Sequence, residues 1–285
     1  MKLTLTETGQ KHMAITNNSS NKLNNLELSI QLSLSGLSFC ILNKDSNTII
    51  EVKELRFEKR LNPFEVLDEL KVLFENESTL NNSFTNVTIV HNNDLSTLVP
   101  EALFNKNHVA DYLKFNSKIL KSDFIAYDSI LENSSVNVYV PYININNYIY
   151  DKFGTFIFKH ISSVLIESIL RIEKASTTPK VYIHVSLNHF EIIIIKEGKL
   201  ELYNTFVYNS KEDFIYYILF TAEQLNLNPE TLNLVFIGDI TEDDEIYNIA
   251  YKYIRNISFG NRNDDFKYID KPKSNYSNFT LLKSI

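Results

Sequence analysis

The chain has 285 residues, 44% hydrophobic and 22% charged, with 28 Lys and Arg against 35 Asp and Glu and a formal net charge of −7. That balance fits a globular protein of two ordinary domains and excludes nucleic acid as the main partner, because neutralising phosphates takes a basic surface. One cysteine excludes an internal disulfide and a multi-cysteine metal site, and six glycines leave little material for phosphate-cradling loops.

Residues 1–25 are polar and read as an arm, with a short edge strand expected at Lys2–Thr6. The arm lacks the apolar segment of a secretory signal, and no window approaches about 18 uncharged apolar residues. No membrane span is therefore expected, and the cytoplasm is the expected location. From Leu28 apolar residues alternate (Leu28, Ile30, Leu32, Leu34), break at Ser35-Gly36 and resume at Leu37, Phe39 and Ile41. Lys44–Asn47 is a turn cluster and Ile49–Phe57 a third strand. Asn62 is the predicted N-cap of a helix with Pro63 at its first position, and Phe64, Leu67, Leu70 and Phe74 recur at helical spacing. Val87–Val90 reads as a buried strand.

Residues 95–153 interrupt this order and are expected to form an α+β insertion containing Leu98–Phe104 and a strand-like Val136–Pro141. Residues 154–174 carry an apolar stripe (Ile157, Ile161, Val164, Leu165, Ile169, Ile172) that predicts one long helix bridging two domains. The ASTTP segment at 175–179 then marks the boundary, giving a first domain at 26–174 and a second at 175–285.

The second domain repeats the first. Setting Ser33-Leu34 over Ser186-Leu187, both copies run strand, short break, strand, polar turn, strand, then helix and strand. The second copy comprises Val181–Val185, Phe190–Ile195, Leu200–Tyr208, a helix capped by Ser210, and Leu232–Ile237. Helix-sized connections require some parallel pairing, so mixed sheets flanked by helices are expected. After the last of these strands, Thr241 is the expected N-cap of a helix opened by Glu242, Asp243, Asp244 and Glu245.

Few residues suggest chemistry on their own. His184 and His189 flank the second bend and fall on opposite faces of a regular strand, which disfavours metal ligation. His160 reads as a helix-surface or core-edge residue, His91 as a loop residue, and Cys40, among Phe39, Ile41 and Leu42, as a buried small hydrophobe. The aromatic run Tyr139–Phe158 is expected to supply core and partly exposed side chains, and it is the first place to look for a partner surface.

The duplicated meander with helix and strand resembles the actin-like ATPase superfamily, which includes actin, sugar kinases and the Hsp70 chaperones. The insertion is similar to the extra subdomain of bacterial relatives in cell division and pilus assembly. More narrowly, Ser96–Phe104 (STLVPEALF), Tyr139–Tyr142 (YVPY) and His160–Leu170 make the chain resemble the DUF3822 family of Bacteroidetes, over about residues 26–285. The resemblance implies an α/β fold of two duplicated ribonuclease-H-like domains, the first with an α+β insertion, and no assigned activity.

In the superfamily, Mg-nucleotide binds between the domains through two Asp-x-Gly hairpins and a Gly-Gly after a later strand. The matching positions here are Ser33, Ser35 and Gly36, then Ser186 and Asn188, then Gly238 and Asp239. Both hairpin carboxylates and the required glycines are absent, and Mg²⁺ needs hard anionic oxygen. Gly36 is left as a turn glycine, and the acids after Asp239 would repel phosphate at their helix end. The resemblance with these departures implies a non-catalytic cytoplasmic scaffold that binds an unidentified protein and needs no cofactor. The alternatives are a nucleotide-binding or weakly active ATPase taking ATP with Mg, its acids replaced by Asp239 or Asp94, and a sugar-kinase-like enzyme.

Overall fold

The structure, a computed structural model, describes residues 25–115 and 117–285; the edge strand expected at Lys2–Thr6 lies outside them. In the first half, β1 (Leu26–Leu32), β2 (Gly36–Asn43) and β3 (Thr48–Arg56) form an antiparallel meander. Helix α1 (Pro63–Asn76) then returns the chain to β4 (Asn86–His91), which lies parallel to β1. The start of α1 follows the sequence closely. Asn62 accepts from the backbone N–H groups of Phe64 and Glu65, and Glu65 accepts from the Asn62 N–H, a reciprocal cap.

An antiparallel three-stranded sheet follows, built from β5 (Ser96–Pro100), β6 (Ala126–Ile130) and β7 (Ser135–Tyr139) with β7 central, and a short helix α2 (Val109–Leu113). The insertion is smaller than the predicted 95–153. Helix α3 (Ile143–Phe153) leaves it, because Tyr142, Ile145 and Ile149 are buried in the first domain's main core.

The single helix expected over 154–174 is a strand and a helix. Gly154, at φ +77°, ends α3; β8 (Ile157–His160) adds parallel to β4, and α4 (Ile161–Ile172) begins only afterwards. The cause is local: Thr155–Phe158 is an unbroken run of β-branched and aromatic residues, which favour strand, and the His160 side chain accepts from the Ser162 N–H to cap the helix. Helix α4 buries Ile161, Leu165, Ile166 and Ile169 with Tyr182, Ile193, Val235 and Ile237 of the second half, so its apolar face joins the two halves.

The second half repeats the pattern as β9 (Lys180–Val185), β10 (His189–Lys196), β11 (Lys199–Val207), α5 (Lys211–Gln224), β12 (Asn233–Gly238), α6 (Glu245–Tyr253) and β13 (Asn256–Phe259). Ser210 caps α5 as predicted, accepting from the Asp213 N–H. Helix α6 starts at Glu245 and not after Thr241, because the Asp244 carboxylate takes the Thr241 N–H at 2.7 Å and closes a turn ahead of it. The sheet orders match strand for strand: β3-β2-β1-β4-β8 against β11-β10-β9-β12-β13.

The chain then departs from the duplicated plan. Strand β14 (Lys267–Tyr268) pairs with β3 in the first sheet, and helix α7 (Phe279–Lys283) packs on β1, β2, α4 and β12. Residues 266–285 thus return to the first half and wedge between the two. No polar-to-apolar period in this segment announces that crossing.

Candidate functional site

The two hairpin bends face each other across a cleft between the halves. In the first bend the Ser33 N–H and hydroxyl both donate to the Gly36 carbonyl at 2.9 Å, while the Ser35 N–H donates to Ser33 Oγ at 3.2 Å. In the second, the Ser186 N–H donates to the His189 carbonyl at 3.0 Å, and the Tyr208 hydroxyl donates to the Ser186 carbonyl at 3.0 Å. These hairpins close on themselves, and the Ser33, Ser35 and Ser186 amides that would face an anion are engaged internally.

The structure brings all seven positions suggested by the resemblance to this one cleft: Ser33, Ser35 and Gly36 on one wall, Ser186 and Asn188 on the other, and Gly238 with Asp239 at the end of β12. Two of them play parts different from those expected. Gly36 is not a turn glycine; it opens β2 opposite Arg56, and a Cβ there would lie 2.6 Å from the Leu55 carbonyl oxygen. Gly238 is the glycine that needs left-handed backbone, at φ +89°, and a Cβ on it would meet the Val185 carbonyl at 2.5 Å.

The chain's own side chains fill the space. Arg56 of β3 pairs with Asp239 across the cleft, the Asn278 amide donates to Glu54, and Phe279 is buried behind them. The remaining cavity measures about 130 Å³, against roughly 300–1,000 Å³ for pockets that hold small-molecule ligands. Asp94 lies outside this cavity, in a neighbouring one beside Arg60 and Tyr142. A Mg-nucleotide does not fit this donor set: the hairpins offer hydroxyls and amides where the metal needs carboxylate, and Asp239 is committed to Arg56. Among the described residues no group of three His, Cys, Asp or Glu is arranged to hold a metal, and no helix is long and apolar enough to cross a membrane.

The histidines are placed quite differently from the sequence expectation. His184 and His189 lie on separate strands, β9 and β10, and converge on Glu191, at 2.7 Å (His184 Nδ1 to Oε2) and 3.3 Å (His189 Nε2 to Oε1). Glu191 is fully buried. Burial pushes its carboxyl up, but the charge on His189 and the hydrogen bond from His184 outweigh that and hold it well below the usual carboxylate range. His189 also reaches Asn92 Oδ1 in the first half at 3.1 Å and Asn188 Oδ1 at 3.0 Å. Burial works to lower its pKa, but the neighbouring Glu191 carboxylate outweighs that and raises it. Sequence reasoning missed Glu191, although an acid inside the apolar run His189–Ile195, two residues from a histidine, was a visible signal.

The other candidates are structural. His91 is buried, not a loop residue; it bonds to Asn146 Oδ1 at 2.9 Å, and burial lowers its pKa to about 3. His160 is buried too, with its pKa lowered to about 4 by burial. Its Nδ1 meets Ser162 Oγ at 2.7 Å, but its Nε2 faces the Asn93 carbonyl, and the nearby Asp128 bonds instead to Ser163 and Tyr139. No Ser-His-Asp relay results. Cys40 is buried, as expected, and burial pushes its thiol far up. Of the aromatic run, Tyr139 and Tyr142 are buried and Phe153, Phe156 and Phe158 pack on the first core, while Tyr150 is exposed.

A model of the family described as "Protein of unknown function (DUF3822)" matches residues 15–257. A Bacteroides thetaiotaomicron protein "with actin-like ATPase fold and unknown function" superposes with a TM-score of 0.78 at 22% identity, covering 92% of this chain and 96% of that one. The "PilM-PilN type IV pilus biogenesis complex" superposes with a TM-score of 0.59 at 9% identity, covering 90% and 97%. Comparison with curated protein sequences returns no match. The fold is that of the two-domain actin-like ATPases.

Proposed function

The chain belongs to the DUF3822 family, and on that footing we propose that it is a non-catalytic scaffold that binds another protein. Its actin-like body serves as a rigid frame and no longer as an ATP engine. The observation that carries this reading is the interdomain cleft: hairpins closed on themselves, Arg56 paired with Asp239, and a residual cavity of about 130 Å³. Opening that cleft for a nucleotide means breaking the Arg56–Asp239 pair and displacing Asn278 and Phe279. The neighbour in the pilus complex supports the reading in one respect, since PilM is seen with the protein PilN.

Thermal melting in the presence and absence of millimolar Mg-ATP tests it. A ligand at 100 times its Kd adds about 2.7 kcal/mol to the native state, or roughly 5 °C for a chain of this size. No shift is expected. A rise of several degrees overturns the reading and favours a nucleotide-binding protein with a non-standard site.

A further inference from the structure

The geometry points to a groove between the insertion and the second half that takes an extended peptide strand of a partner protein, carrying a basic residue at one end. This rests on the scaffold reading and gives its partner a chemistry. The groove has a volume of about 480 Å³. One wall is β5, an edge of the insertion's sheet, and the other is β11, the outermost strand of the second sheet.

Both walls offer backbone. The Val140 N–H bonds to the Leu95 carbonyl and the Glu101 N–H to the Ser134 carbonyl, which sets the phase of the β5–β7 ladder. In that phase Ser96 and Leu98 turn their N–H and C=O groups outward, away from β7. The Tyr208 N–H bond to the Asn188 carbonyl sets the phase of β10–β11 in the same way, so Tyr203 and Thr205 face outward. Of these, the Thr205 N–H is satisfied by the Asn204 side chain. The outward groups of Ser96, Leu98 and Tyr203 make no hydrogen bond among the described residues. An extended peptide satisfies such a row on either side, as in strand addition to a sheet edge.

A second observation points the same way. Asn137 lines the groove and is fully buried. Its Nδ2 donates to Ser162 and Ser163 at 2.8 and 3.0 Å, while its Oδ1 has no hydrogen-bond partner. A buried acceptor without a donor is expected to be matched by whatever fills the space. Charge sets the rest: Asp94 is the one charged side chain among the described residues lining the groove, so a cationic residue is complementary to it.

A phage-displayed library of random heptapeptides, panned on the immobilised full chain, supplies the probe. The expected result is enrichment of extended, Lys- or Arg-containing sequences whose binding falls at least about tenfold in Ser96→Pro and in Asp94→Lys. Ser96→Pro removes an outward N–H without touching the ladder to β7, and circular dichroism of both variants confirms that they fold. N-methylation of alternate amides in the enriched peptide should abolish binding. No enrichment, or enrichment indifferent to both variants, overturns the assignment. So does a doubled mass in analytical ultracentrifugation that Ser96→Pro returns to a monomer, since a second copy of this chain would then occupy the groove. A chain that binds these peptides and also melts higher with Mg-ATP refutes the reading under Proposed function while leaving this one standing.

Discussion

Replacing Glu191 by Gln isolates the charge at the base of the cleft, because the two side chains have nearly the same shape and no cavity is created. What is lost is the partner of His184 and His189 at 2.7 and 3.3 Å. Removing one member of a buried pair and leaving the other costs about 3–5 kcal/mol, which for a chain of this size lowers Tm by roughly 6–10 °C. The dependence on pH follows from two opposite shifts. Glu191 is depressed below its ordinary 4.5, so its contribution is complete above that value and lost only as pH falls through the depressed one. His189 is raised above its ordinary 6.5, so its contribution is complete below 6.5 and lost as pH rises through the raised value. The Glu191→Gln penalty is therefore full between about pH 4.5 and 6.5 and shrinks on the alkaline side. Urea unfolding of wild type and variant at pH 5.5 and pH 9 measures it. A penalty below about 1 kcal/mol, or one equal at the two pH values, refutes the assignment of an ionised Glu191–His189 pair.

Two further outcomes follow from the packing. Phe279→Ala empties a site that is 1% exposed between α4 and the second sheet and should lower the urea unfolding free energy by about 3–5 kcal/mol, whereas Leu103→Ala, at a residue 70% exposed, should stay within about 0.5 kcal/mol. Gly238→Ala and Gly154→Ala both force positive φ on alanine, but only the former meets backbone, at 2.5 Å; Gly154 has nothing within 4 Å. In thermal melts Gly154→Ala should therefore cost about 1–2 kcal/mol and Gly238→Ala clearly more, and equal losses would refute the role given to Val185.

The legible parts of the sequence were those in which one local period decides the outcome. Alternation through Leu28–Ile41 and helical spacing after Asn62 each reflect a face packing on one core, and the caps at Asn62 and Ser210 satisfy nearby backbone donors. The strand β8 was hidden because four residues of strand run directly into a helix whose apolar residues continue the pattern. The crossing of residues 266–285 was hidden because β14 pairs only Lys267 and Tyr268, too few to show a period. At the cleft, the seven positions followed from the resemblance, and the structure puts them in one place. The Glu191 cluster needed three dimensions, since its histidines come from two strands and its Asn92 contact from the other half.

The return of the segment 266–285 has a consequence for how the molecule comes apart. Two halves built on one plan, if they met only at a polar surface, would melt as separate units. Yet Gln31 and Thr280, 249 residues apart, meet in the wedge between them, and Phe279 belongs to a cluster drawn from both. Loosening either half removes the surface on which that wedge rests, so a single calorimetric transition is the expected outcome, and two resolved transitions would refute it. Contacts at such separation also form late, because the intervening chain must first be ordered. The duplication gives the protein two similar cores, and the returning segment gives them one shared interface.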